Sequence, residues 1–249
     1  LHIIAGVLWI GLLYFFNWIN GHVAATMDGD TKKKVIPELM PRTLYFFRWG
    51  AAWTWITGLV LMLLVFWMGM NDEMFKEIEM DGDANPFKHL AYLLPFIMVF
   101  VYDAFYKSPL AKNTRVATII SFLGIAGVLC LLICVSEMVE YRAYNIHLGA
   151  MFGSMMAYNV WFRIWPAQQR IITAIKNGDA PDPADAGMAG LRSKHNTYMS
   201  VPLIWTMINE HTVEVSHYLG GYGVLLVIVI VGWHLVFQIY KKSATIQGF

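Results

Sequence analysis

Long apolar runs alternate with short polar stretches along the chain. The runs cover about residues 1–25, 43–70, 86–106, 114–135, 141–165, 197–210 and 219–240. A helix that crosses a bilayer needs roughly 20 mostly apolar residues at about 1.5 Å each. Six runs meet that length or nearly do, and the sixth, 197–210, is short and contains Pro202. None shows the period-two alternation of a membrane β-barrel. The pattern predicts an all-α integral membrane protein, a bundle of about seven transmembrane helices forming one polytopic domain over 1–249. A span that opens at residue 1 predicts a true N-terminus further upstream.

Composition supports this reading: 57% of residues are hydrophobic and 14% charged, against about 25% charged in soluble chains. Eighteen basic residues nearly balance 17 acidic ones, and there are two cysteines. That excludes a strongly basic nucleic-acid binder and a disulfide scaffold. Placement of the charges says more than their total. With strict alternation of the spans, 15 of the 18 basic residues fall on the side reached by the first helix. Lys76, Lys88 and Arg142 alone fall on the other. The positive-inside rule then puts the N-terminus outside and the C-terminus in the cytoplasm, as in a multi-pass protein of the bacterial inner membrane. The cytoplasmic loop 166–196 is expected to hold a short interfacial helix over 168–177 and a turn-rich connector from Gly178.

Ionisable residues inside spans are costly, so each is a functional candidate. His2 and His147 both open an odd-numbered helix at the outer face, and His211 ends the sixth helix at the same level. Neutral imidazoles from facing helices suit the iron of a b-type haem. Gly149 and Gly153 next to His147 would let a macrocycle approach, or simply pack two helices. Glu210 and His211 could handle protons or a polar substrate at that mouth, with Glu214 and His217 close behind; a hydrated helix end is the plainer reading. At the inner side, Asn159, His195, Asn196 and His234 could form a second polar site, although His195 could equally precede a helix cap. Asp103 and Lys107 have the spacing of an ordinary helical ion pair. Cys130 and Cys134 read as small core residues rather than a metal site.

The order of motifs resembles the membrane domain of the bacterial cytochrome-c-linked urate oxidase (urate hydroxylase) family. The resemblance rests on Leu1-His2 with Trp9-Ile10-Gly11, on Phe47-Arg48-Trp49-Gly50 with Thr54-Trp55-Ile56-Thr57-Gly58, and on Val101-Tyr102-Asp103. The most specific stretch runs from His147-Leu148-Gly149 through Asn159-Val160 and Arg192-Ser193-Lys194-His195-Asn196 to His211. It implies an integral-membrane oxidoreductase that oxidises urate and passes electrons to cytochrome c or a cytochrome c domain. Members carry a further helix and such a domain, whereas this chain stops at Phe249 without a Cys-x-x-Cys-His. The alternative is a non-catalytic haem-carrying or structural subunit of a larger membrane respiratory or oxidase complex. The haem is implied by histidine placement and not by the resemblance.

Overall fold

The structure is a computed structural model and describes residues 1–75, 87–213, 216 and 220–246. Its named elements are helical, and pairing of the strand kind is confined, among the described residues, to a single bridge between Phe75 and Met138. The helices are α1 (His2–Thr26), α2 (Gly29–Trp67), α3 (Leu90–Phe105), α4 (Thr114–Val135), α5 (Tyr141–Asn159), α6 (Trp165–Asn177), α7 (Pro183–Asn209) and α8 (Tyr222–Ser243). A wider turn, Val160–Ile164, joins α5 to α6 without a break. By length and composition, α1, α2, α4 and α8 are able to cross a membrane, and α3 is a shorter apolar helix. α5 and α7 are also long but more polar, because they carry the buried asparagines and histidine described below.

The helix ends follow from local chemistry. Asp28 stops the gap between α1 and α2: its Oδ1 accepts from the Thr31 N–H at 2.9 Å and its Oδ2 from the Thr31 hydroxyl at 2.7 Å. Asn113 caps α4 through the N–H groups of Arg115 and Val116. Such side chains satisfy amides that a helix start leaves unpaired. α6 ends at Gly178, whose φ of +87° suits a residue without Cβ, with the Asp179 N–H closing on the Ala174 carbonyl at 2.9 Å. α7 then starts on Pro183, where a missing N–H costs nothing, and Asp182 caps it through Ala184 N–H at 2.8 Å.

Two boundaries differ from the sequence reading. The second helix begins at Gly29 rather than near 43, so the basic run Lys32-Lys33-Lys34 is helical. The helix bearing the sixth apolar run begins at Pro183 rather than 197, which places His195 in mid-helix and removes its capping role. In both cases a capping residue lies upstream of the apolar run, and hydropathy registers only the apolar part. Expected spans 86–106 and 219–240 open on residues outside those described, as do Glu214 and His217.

By packing, the chain falls into two compact units. One comprises 1–58, 156–201 and 232–249, the other 59–155 and 202–231. The first is built round Trp9, Leu13, Phe47 and Ala51, all at most 1% exposed. There α1 and α2 approach closely because Gly50 has no side chain: a Cβ would lie 3.3 Å from Trp9. The second centres on Met74, Leu132, Met138, Leu148, Met151 and Phe152. In it the Val139 N–H bonds to the Met74 carbonyl at 2.9 Å, and Glu137 takes a φ of +56°, a conformation unusual for a residue with a side chain.

Candidate functional site

A buried polar group lies in the second unit, where the start of α5 meets the end of α7. Arg142, Asn145 and Gly149 fall on one face of α5, three and four residues apart. Thr206 and Glu210 are spaced the same way at the end of α7. Asn145 is fully buried; its amide donates to the Glu210 carboxylate at 2.6 Å and to the Thr206 carbonyl at 2.9 Å. Its own carbonyl oxygen is buried without a donor among the described residues. Arg142 reaches the other Glu210 oxygen at 3.4 Å, with its side chain 38% exposed against 10% for Glu210. One carboxylate is thus held by an amide on its buried side and a cation on its open side.

Next to it, the Tyr141 hydroxyl donates to Asn209 Oδ1 at 2.5 Å and the Ser216 hydroxyl to the same atom at 2.8 Å. The Asn209 amide turns back onto Thr212, at 3.1 Å to its hydroxyl. These bonds tie the chain after α7 to α5 and hold Glu210 in place. His211 is exposed and makes no side-chain bond to Glu210 among the described residues. The expected Glu210–His211 pair is therefore joined in sequence only, and Arg142 and Asn145 are the partners Glu210 has.

His147 is completely buried in the same unit. Its Nδ1 lies 2.7 Å from the Ala143 carbonyl, and the Trp67 indole N–H donates to its Nε2 at 3.1 Å. Those partners assign the proton to Nδ1. That is the tautomer of a metal-ligating histidine, with the second nitrogen anchored by a backbone carbonyl. The lone pair such a ligand needs is, however, occupied by Trp67. The glycines beside it are also filled: Gly149 lies against Thr206 and Gly153 against Leu203, both from α7. The small residues here admit a helix, and as arranged this side of His147 does not fit a haem.

His2 belongs to the first unit. Its Nδ1 is 3.2 Å from the Thr57 hydroxyl, and its ring lies against Gly58, where a Cβ would meet Cε1 at 3.0 Å. That unit also contains the second predicted polar site, in part. Asn159 and Asn196 are both fully buried, and the Asn159 amide donates to Asn196 Oδ1 at 2.8 Å. Asn196 donates in turn to the Met156 carbonyl at 3.0 Å. His195 is one residue away and part-buried, whereas His234 is exposed and contacts Gln238 at 3.1 Å. The asparagines form a pair that locks α5 to α7; His234 is not part of it. Around α1 the same unit has a second polar belt: Asn17 donates to Ser193 at 2.8 Å and accepts from Tyr240 at 2.8 Å, and Tyr14 meets Ser200 at 2.9 Å.

Sequence reasoning treated Arg142 only as a charge and passed over Asn145, as it did Trp67. The periodicity that could have revealed the first two is the shared face of 142, 145 and 149. No local pattern could have revealed Trp67, which comes from a different helix. Asp103 and Lys107 do pair, at 2.7 Å, with the Asp103 side chain 7% exposed. No group of three or more metal-ligating side chains occurs among the described residues, and Cys130 and Cys134, expected in the core, are both exposed on α4.

Comparison with known proteins bears on what this arrangement serves. No curated protein and no solved structure matches the chain. The model of one family, described as urate oxidase N-terminal, matches residues 27–247, which takes in Arg142, Asn145, His147 and Glu210 alike. The chain belongs to the urate oxidase N-terminal family.

Proposed function

We propose that the chain is the membrane part of an oxidoreductase that oxidises urate or a close purine relative and hands the electrons to cytochrome c. The family supports the substrate class, and the Arg142–Glu210–Asn145 group, buried at Asn145 and open at Arg142, carries the reading. Urate is a planar anion rich in N–H donors and carbonyl acceptors. Part-exposed Arg142 is placed to attract it, and the unpaired Asn145 carbonyl is a buried acceptor for a ring N–H.

Oxidation of urate to its 5-hydroxy product adds one water and releases two protons and two electrons. Glu210 would take one of these protons, since a carboxylate already held by Asn145 and Arg142 stays fixed while its charge changes. The two electrons go one each to two oxidised cytochrome c haems, which are reduced from Fe(III) to Fe(II). A b-type haem on His147 belongs to the proposal only with the Trp67 bond to its Nε2 released. When bound, such a haem supplies one-electron carriage. The asparagine pair of the first unit supports a structural reading better than a substrate site, because both amides face each other and the backbone.

The test is urate-dependent reduction of added cytochrome c by membranes containing the complete protein. Activity is expected, with Glu210→Gln lowering kcat by about 10²–10⁴-fold, the usual contribution of a positioned proton acceptor. No reduction by the intact protein would remove the enzymatic reading. Stoichiometric co-purification of partner subunits together with an inactive chain would favour a structural subunit instead.

A further inference from the structure

In the first unit, the guanidinium of Arg48 on α2 is enclosed by aromatic rings rather than by anions. It lies 4.0 Å from the centroid of Trp165, 5.8 Å from Trp161 and 5.7 Å from Tyr45. Trp161 is itself fixed by donating its indole N–H to the Arg48 carbonyl at 3.0 Å. Trp49 closes on Trp161 edge to face at 5.5 Å.

Ring faces hold a cation but accept none of its N–H bonds in the way oxygen does. Guanidinium has five donors and no acceptor. Among the described residues no carboxylate pairs with Arg48, and its Nε is buried without an acceptor. The residue as a whole remains part-exposed, so a ligand can reach it. The arrangement is a cation oriented on an aromatic collar, with no carboxylate partner among the described residues and its Nε donor unused. The partner that answers this is a planar-forked anion acceptor, and phosphate fits the fork with two parallel bonds. Arg48 also lies at the end of the apolar part of α2 that the charge pattern assigns to the cytoplasmic face, at the depth where tryptophans and lipid phosphates meet.

We propose that Arg48, collared by Tyr45, Trp161 and Trp165, is a binding site for a phosphate group, supplied by an anionic lipid headgroup or by a free phosphate. The site is separate from the Arg142–Glu210 group and needs none of its residues.

The full chain, purified in detergent and stripped of lipid, is titrated with phosphatidylglycerol, with diacylglycerol and with inorganic phosphate. Native mass spectrometry reads bound lipid, and thermal unfolding reads all three. Phosphatidylglycerol is expected to bind more tightly than diacylglycerol, and Arg48→Gln to weaken it by about tenfold or more, the scale of charge-assisted bonds. Arg48→Lys, which keeps the charge and loses the fork, retains part of the affinity and serves as the folded control. Arg170→Gln, a cation already paired with Asp185, leaves binding unchanged. If inorganic phosphate protects as well as the lipid and with the same Arg48 dependence, the source is a soluble phosphate. Equal binding of diacylglycerol and phosphatidylglycerol, or a folded Arg48→Lys protein with undiminished affinity, overturns the site.

Discussion

At the scale of single residues, the chemistry of this protein turns on what occupies each lone pair. Glu210 is a carboxyl group with two defined partners, and His147 is an imidazole with both nitrogens engaged. Trp67 decides what His147 can do. If His147 ever takes an iron, Trp67→Phe removes the competing donor and raises the haem retained on purification, while His147→Ala abolishes it. The reduced-minus-oxidised spectrum measures both, and a wild-type protein and Trp67→Phe variant without a b-type band remove haem from the proposed function. Asn145→Leu, which deletes the bonds to Thr206 and Glu210 from a fully buried position, is expected to destabilise by about 1–3 kcal/mol. Thermal unfolding in detergent checks it.

At the scale of elements, α5 and α7 are joined through small residues as much as through polar ones. A Cβ at Gly149 would collide with Thr206, whereas at Gly153 it would make ordinary contact with Leu203 at 3.9 Å. Gly149→Ala is therefore expected to lower stability by about 1–3 kcal/mol through overpacking, and Gly153→Ala to change it little. A lower Tm for the first and not the second is the measurement. Outside the spans, Arg170 holds Asp185 with two charge-assisted bonds of 2.7 and 2.5 Å, which clamp α6 to the start of α7. The hydrogen bond to Arg170 keeps the Asp185 carboxyl below its usual value of 3.8. A depressed acid stabilises the fold above its unfolded pKa and loses that contribution as pH falls through the folded one. Hydrogen exchange at 178–182 is expected to quicken below about pH 4 in the wild type. In Asp185→Asn it should already be fast at neutral pH, with little further change.

At the scale of the whole molecule, the distribution of basic residues is the main guide to orientation. In intact cells of a strain whose Cys130 and Cys134 are replaced by Ser, a membrane-impermeant thiol reagent is expected to label Val139→Cys and not Lys33→Cys. Both positions are exposed in the structure. The reverse pattern would invert the assigned topology. The rough place of the apolar helices was legible because a bilayer demands long apolar runs: about seven spans were expected, and four of those runs lie in helices long and apolar enough to cross. The true starts of α2 and α7 were not, since Asp28 and Asp182 sit among polar residues where hydropathy is silent.

By itself the sequence determined that the chain is helical, where its apolar faces lie, which residues were costly enough to suspect, and its family likeness. These follow from local periodicity, cap chemistry and solvent transfer, which need no knowledge of neighbours. The tertiary structure alone decided that Glu210 pairs with Arg142 and Asn145 rather than with His211. It also decided that Trp67 covers His147, that Gly149 receives Thr206, and that Arg48 is ringed by aromatics with its Nε donor unspent. Each of these is a contact between helices distant in sequence, set by packing geometry to within a few tenths of an ångström, and no spacing along one helix encodes it.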